Sequence, residues 1–97
     1  MAGYVETAVE KIVSDLLSGS DMELVDVEYV KEREWYLRVF VDKPQGMSIE
    51  DCQILSEALA EKLDKKDVVP ESYILEVSSP GLDRVLKKER DFIREMG

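Results

Sequence analysis

Residues 23–42, "ELVDVEYVKEREWYLRVFVD", decide how this chain folds. In the first half, Val25, Val27 and Tyr29 alternate with acidic residues, which is the period-two pattern of a strand with one buried face. The pattern returns after the short polar connection "KERE". Two alternating strands joined by a few polar residues predict an antiparallel hairpin. The inward positions of the second strand are Trp35, Leu37, Val39 and Val41.

Apolar residues recur at helical spacing on both sides of this hairpin. Residues 4–18 carry them at three- and four-residue intervals, and Gly19 follows where a C-cap glycine belongs. A second helix is predicted from about residue 49 to residue 63, because the turn segment "DKPQGMS" precedes it and Ser48 with Asp51 forms a variant capping box. The predicted apolar stripe of this helix comprises Cys52, Ile54, Leu55, Ala58, Leu59 and Leu63.

A third strand, "YILEV", follows a charged connection. The predicted order of elements is therefore helix, strand, strand, helix, strand. Amphipathic helices and half-buried strands bury their apolar sides against each other in layers. We predict an α+β fold, a two-layer sandwich with both helices packed on one face of a three-stranded sheet.

The composition is that of a folded protein without a cofactor. Hydrophobic residues make up 44% of the 97 residues, more than a disordered chain contains. No apolar stretch approaches the ~18 residues of a membrane span and no signal peptide pattern opens the chain, so a cytoplasmic location is expected. Histidine is absent and Cys52 is the single cysteine, which removes the common nucleophile pairs and zinc ligand sets. We therefore expect no catalytic residue, no metal and no cofactor, and assign Cys52 to the core.

The net charge of −9 is unevenly distributed. Residues 1–83 contain 8 basic and 19 acidic residues, whereas residues 84–97 contain 5 basic and 3 acidic residues. The negative total disfavours nonspecific binding to a phosphate backbone. The positive charge is concentrated at one end of the chain.

The basic end begins directly after "LEVSSPGLDR", which ends at residue 84. Pro80 fixes φ and Gly81 tolerates positive φ, so a type II turn is predicted here, with Asp83 capping a helical segment beyond it. Exposed amides at a helix start attract anions, so the turn and its basic neighbours could hold a phosphate, although Asp83 competes for the same donors. The pattern is equally typical of a capped turn followed by an ordinary solvated helix. The basic residues nearest the turn are Arg84, Lys87 and Lys88.

Three other patterns have weaker support. Tyr36, Arg38 and Phe40 on the outer side of the second strand are typical of sheets that stack RNA bases, but Asp26 and Glu28 on the neighbouring strand would repel phosphates. A KH module needs a G-x-x-G loop, which this sequence lacks. The serines of "SSPG" invite the hypothesis of a small hydrolase, yet no histidine is present to activate them. We therefore interpret the outer sheet face as a solvated or covered surface.

The C-terminal part, "YILEVSSPGLDRVLKKERDFIREMG", closely resembles the signature of the bacterial ribosome maturation factor family, RimP, in which a strand runs into Ser-Ser-Pro-Gly-Leu-Asp-Arg and then into a basic segment. The stretches "ELVDVEYVKE", "WYLRVFVDKPQGMSIEDC" and "LSEAL" resemble the family in the same order. The resemblance covers nearly the whole chain. One position departs from it, because the family usually has proline after the arginine and this chain has Val85.

The resemblance implies a non-enzymatic, cytoplasmic factor that binds the small ribosomal subunit during its assembly and assists the maturation of its rRNA and protein structure. It also implies that residues 1–84 are an N-terminal α/β domain and residues 85–97 a basic connector toward a C-terminal SH3-like domain, which we expect to be absent from this chain. The residues implicated in binding ribosome and RNA are Ser78, Ser79, Pro80, Gly81, Leu82, Asp83, Arg84, Lys87 and Lys88.

This resemblance also suggests a use for the acidic body of the protein. Ribosomal proteins are mostly basic, so the acidic surface would face a basic ribosomal protein while the basic edge contacts rRNA phosphates. We expect a monomer that takes no small-molecule substrate. The alternative is an acidic protein-interaction adaptor that makes no contact with RNA.

Overall fold

The computed structural model describes residues 3–80 and the backbone of residues 86–90. Within these residues it contains two α-helices and one mixed β-sheet of four strands. In chain order the elements are α1 (Tyr4–Leu17), β1 (Glu23–Lys31), β2 (Trp35–Asp42), α2 (Ile49–Lys66), β3 (Tyr73–Ser78) and β4 (Leu86–Arg90).

The strands lie side by side in chain order. β1 and β2 pair antiparallel, from Glu23 opposite Asp42 to Lys31 opposite Trp35, so the predicted hairpin is confirmed. β2 and β3 pair in parallel. A parallel connection must return from one end of the sheet to the other, and α2 makes this crossover.

The core lies on one face of the sheet, under the two helices. Leu37, Val39 and Val41 of β2 are fully buried, whereas Tyr36 and Phe40 at alternate positions are half-buried. The predicted α+β fold with two layers is therefore confirmed, and the opposite face of the sheet, called the open face below, carries the second set of side chains. The helices contribute to the core Val5, Val9, Ile12, Val13, Leu17, Cys52, Leu55, Leu59, Ala60 and Leu63.

β1 departs from the predicted alternation at Val25. The pairing register shifts between Leu24 and Asp26, so Val25 is the extra residue of a β-bulge and has no partner on β2. Its side chain is 54% exposed, while Val27 after the bulge is buried. The prediction that Val25 faces the core is wrong, because one inserted residue reverses the phase of a period-two pattern.

The second helix begins as predicted and buries the predicted Cys52, Leu55, Leu59 and Leu63, but the predicted widening of this stripe by Ile54 and Ala58 is wrong. Ile54 is 64% exposed and Ala58 is half-buried, whereas Ser56 and Ala60 lie in the core. At 3.6 residues per turn Ile54 is about 200° around the helix from Cys52, which places it on the solvent side. The helix also extends to Lys66, where Asp67 adopts a left-handed conformation with φ of 53°. In the part of the chain that the structure describes, neither helix has the length and apolar composition of a membrane span.

The segment after the Ser-Ser-Pro-Gly turn contains a strand. The sequence pattern predicted a helix here, and for Leu86–Arg90 this is wrong, because these residues form β4 and pair antiparallel with β3. Without β4 the far edge of β3 would present a row of unpaired backbone groups, so pairing with it outweighs the weak local helical periodicity. Residues 81–85, which include Val85, lie outside the described residues, as do residues 91–97. The division into a domain and a connector at residue 84 stays a prediction.

Truncation of a core residue and of an exposed residue on α2 should separate the two sides of this helix. Leu59 is fully buried, so Leu59→Ala should lower the free energy of unfolding by about 2 to 5 kcal/mol. Ile54→Ala removes a similar volume from a solvent-exposed side chain and should change it by less than about 0.5 kcal/mol. Urea denaturation followed by circular dichroism measures both, and equal losses would contradict the observed orientation of α2.

Candidate functional site

The described part of the Ser-Ser-Pro-Gly motif lies where the parallel strands end. Because β2 and β3 run in the same direction, their carboxyl ends, Asp42 and Ser78, meet at one edge of the sheet. The loop after β2 leads directly into α2, so the N-terminus of that helix belongs to the same end of the molecule. Three elements therefore surround the residues at which the motif begins.

Ser79 connects the motif to the end of β2. Its hydroxyl donates a hydrogen bond of 3.2 Å to Asp42 Oδ1, and the same oxygen accepts one of 2.9 Å from the backbone N–H of Lys43. Ser79 is only 5% exposed, so this charge-assisted bond is largely shielded from water. Pro80 follows it at an exposed turn position. The chain is therefore held at Ser79 immediately before it leaves the sheet.

Ser78 has a different environment from Ser79. Its register partner on β2 is Phe40, which places it on the open face, and its side chain is also buried. Among residues 3–80 no hydrogen bond is formed by its hydroxyl. The two serines are therefore adjacent in the motif, but only Ser79 makes a side-chain hydrogen bond within the described residues.

The N-terminus of α2 is closed by its own side chains. Ser48 Oγ accepts a hydrogen bond from Asp51 N at 3.0 Å, and Asp51 Oδ2 accepts one from Ser48 N at 3.1 Å, which confirms the predicted capping box. Lys43 Nζ lies 2.9 Å from the same Oδ2. The hydrogen bond to Lys43 lowers the pKa of Asp51, and the bond to Asp51 raises the pKa of Lys43. The N-terminus of α2 is therefore already occupied by the Asp51 carboxylate, whose negative charge also balances the positive charge of Lys43.

The open face carries the aromatic and basic row that the sequence singled out. Arg38 Nε donates to Glu76 Oε1 at 2.9 Å, Nη1 lies 3.5 Å from Glu32 Oε2, and its guanidinium carbon lies 4.6 Å from the centre of the Tyr36 ring. Although burial opposes the charge, the hydrogen bond to Glu76 helps to raise the pKa of Arg38. Glu28 is the register partner of Arg38 on β1. The one arginine of this row is therefore occupied by carboxylates, which disfavours an RNA-stacking role for the face.

Two basic residues that follow the motif, Lys87 and Lys88, lie in β4. Lys87 is the register partner of Glu76 and Lys88 of Leu75. The predicted basic helix face is thus replaced, at these two positions, by an edge strand. Gly81, Leu82, Asp83 and Arg84 lie outside the described residues.

The sequence did not reveal which residues pair with Ser79 and Arg38. Asp42, which receives the Ser79 hydroxyl, and Glu76, which binds Arg38, were not singled out. Asp42 could have been found only by recognising that a polar residue at the end of β2 meets the end of β3, and this requires knowing that the two strands are parallel. Within the described residues, no group of three or more cysteine or acidic side chains is arranged to hold a metal ion.

One comparison with known protein families bears on this site. A family model described as the RimP N-terminal domain matches residues 12–83, which is 72 of the 97 residues. The match contains the parallel strand pair, the crossover helix and the beginning of the motif after β3. It therefore covers the described part of the site and every element from β1 to β3, together with the second half of α1.

Substitution of the two serines should distinguish their roles. Ser79→Ala removes a buried hydrogen bond to a carboxylate and should lower the free energy of unfolding by about 1 to 2 kcal/mol. Ser78→Ala is the matched control and should change it by less than about 0.5 kcal/mol. Thermal and urea denaturation of the two variants provide the measurement. A larger loss for Ser78→Ala than for Ser79→Ala would contradict the assignment of Ser79 as the anchoring residue.

Proposed function

Because this chain belongs to the RimP family of ribosome maturation factors, we propose that it binds the small ribosomal subunit during assembly and assists the maturation of its rRNA and protein structure. The observation that carries the proposal is the family match over residues 12–83, which runs through β3 into the Ser-Ser-Pro-Gly motif. The protein acts by binding in the cytoplasm, as a monomer, and not by bond chemistry.

The contact with rRNA is assigned to the segment that follows Ser79. This segment begins at the hydrogen bond between Ser79 and Asp42 and ends in β4, which is paired with β3. Both ends are therefore held by the sheet, which lowers the conformational entropy that the segment loses when it binds. Its basic residues neutralise phosphates, and each such contact makes binding more sensitive to salt. The residues assigned to this contact are Ser78, Ser79, Pro80, Gly81, Leu82, Asp83, Arg84, Lys87 and Lys88.

The two described serines support this contact indirectly. Ser78 and Ser79 are 9% and 5% exposed, so their side chains position the segment while the basic residues that follow them in the sequence meet the phosphates. The same burial argues against the small-hydrolase hypothesis. The Ser79 hydroxyl donates its hydrogen bond to Asp42, and the sequence contains no histidine that could act as a general base for it.

We assign to the acidic body of the protein the contact with a basic ribosomal protein. On the open face Glu28 lies beside Arg38, and Asp26 is the register partner of Phe40, so acidic groups border half-buried aromatic side chains. A basic protein segment complements this surface in charge, which favours rapid and selective encounter. The protein would thereby present opposite charges to the two components of the subunit.

A second candidate function is an acidic protein-interaction adaptor without RNA contact. Two observations favour it: Arg38 and Lys43, on or next to β2, are both paired with carboxylates of the same chain. Their positive charge is therefore not available to phosphates. The two candidates differ in what the basic segment does, and a salt titration separates them.

Charge reversal of the basic segment should weaken binding to immature small subunits. In the variant Arg84→Glu/Lys87→Glu/Lys88→Glu, three phosphate contacts are lost, and each contributes roughly −0.7 to −0.9 to the slope of log affinity against log salt concentration. The slope should therefore become shallower by about two units. Subunit binding measured by sedimentation over a series of salt concentrations gives both slopes.

A matched variant controls for the change in total charge. Lys62→Glu/Lys65→Glu/Lys66→Glu alters the same number of charges on exposed positions of α2 and should reduce the slope much less. Equal slopes for the wild type and the first variant would contradict an RNA contact by the basic segment and would favour the adaptor function. Equal reductions in both variants would show an effect of net charge and not of the basic segment.

Neutralising the acidic open face should weaken binding to a basic ribosomal protein. Asp26→Asn/Glu28→Gln removes two charges but keeps one acceptor oxygen on each side chain, and at about 0.5 kcal/mol for each charge the affinity should fall roughly fivefold. Glu57→Gln/Glu61→Gln removes the same charge from the exposed side of α2 and should leave the affinity unchanged. Isothermal titration with isolated small-subunit proteins is the measurement, and unaltered affinity for all of them would exclude this role for the face.

A further inference from the structure

β1 lies at one edge of the sheet, where strands of other molecules can add. In an antiparallel pair, alternate residues of the edge strand direct their N–H groups away from the partner. Two such groups in β1 are occupied by side chains: Val27 N donates to Asp26 Oδ1 at 2.8 Å, and Tyr29 N donates to Glu6 Oε2 at 3.2 Å. Carboxylates therefore take the position of a neighbouring strand at two alternate residues.

Glu6 reaches the edge from the first turn of α1. Its other oxygen, Oε1, accepts a hydrogen bond of 2.7 Å from the backbone N–H of Gly3, the N-cap residue. Val5 and Val9 bury the same end of the helix in the core. The carboxylate of Glu6 thus joins the start of α1 to the exposed edge of β1, and its position is determined by both elements.

The bulge and the acidic residues of β1 add to this protection. The bulge at Val25 ends regular pairing, so an added strand has only the second part of β1 to follow. If β1 paired antiparallel with β1 of another copy, centring on Val27 would place Asp26 opposite Glu28, and centring on Tyr29 would place Asp26 opposite Glu32. Acidic residues directly opposite each other destabilise a strand pair. Asp26 therefore opposes self-pairing by its charge as well as by its hydrogen bond.

We propose that Glu6 and Asp26 close the β1 edge against a second copy of this chain. Glu6 occupies the N–H of Tyr29, and Asp26 occupies the N–H of Val27 and repels an acidic residue of the approaching strand in two of the possible registers. Removal of both carboxylates exposes two adjacent outward N–H groups and leaves the register centred on Tyr29 without opposed acidic residues. A latent self-association surface lies along β1, and these two side chains keep it closed.

Hydrogen exchange tests the hydrogen bonds themselves. In the wild type the amides of Val27 and Tyr29 should exchange slowly, although they face away from β2. In Glu6→Ala the amide of Tyr29 should exchange faster by roughly tenfold or more, since its acceptor is gone. In Glu6→Gln a single acceptor oxygen remains for the N–H groups of Gly3 and Tyr29, so the exchange of Tyr29 should lie between that of the wild type and that of Glu6→Ala. Equal exchange of Tyr29 in the wild type and in Glu6→Ala would overturn the proposal.

Sedimentation tests the consequence for self-association. The wild type should remain a monomer over a concentration series, whereas Glu6→Ala/Asp26→Ala should form a dimer of twice the mass as concentration rises. Glu57→Ala/Glu61→Ala loses the same charge on α2 and should stay monomeric. Circular dichroism establishes that each variant is folded. A folded double variant that stays monomeric at every concentration would overturn the proposal, and if this variant does not fold, the exchange of Tyr29 in Glu6→Ala decides.

Discussion

The parallel pairing of β2 with β3 is the interaction on which the rest of this structure depends. It places Leu37 and Val39 beside Leu75 and Val77, so the most deeply buried part of the core forms where the two strands meet. It requires a crossover, which α2 provides while covering the same face. It also brings the carboxyl ends of both strands to one edge, and this is why Ser79 can reach a residue 37 positions earlier in the chain.

The same pairing also brings oppositely charged side chains together on the open face. Arg38 and Glu76 are register partners on β2 and β3, and their side chains form a hydrogen bond of 2.9 Å. Glu76 is only 8% exposed, so its charge would be costly without the guanidinium. The arginine is therefore committed to the stability of the sheet. The positive charge that is not paired in this way is concentrated after residue 83, where the sequence contains 5 basic and 3 acidic residues.

The two edges of the described sheet are protected from further pairing in different ways. β3 is covered by β4, whose sequence "LKKER" puts consecutive charged residues on an edge strand, a composition that discourages further pairing. Among the described residues no strand covers β1, and its outward N–H groups at Val27 and Tyr29 are satisfied by carboxylates. An open sheet edge can pair with a strand of another molecule, and carboxylates that occupy the outward N–H groups of β1 disfavour such pairing.

Patterns within short stretches of the sequence were sufficient to predict the two helices, the hairpin and β3. Helical spacing and the Ser48–Asp51 capping box identified the helices, and period-two alternation identified the hairpin and β3, because side chains a few residues apart decide these structures. Contacts between distant parts of the chain determine that β2 and β3 are parallel, that Val25 is an exposed bulge residue and that residues 86–90 form a strand. The contacts of Ser79 with Asp42 and of Arg38 with Glu76 belong to this second group. They join residues 37 and 38 positions apart, and no pattern within one element can show which distant strand will become its neighbour.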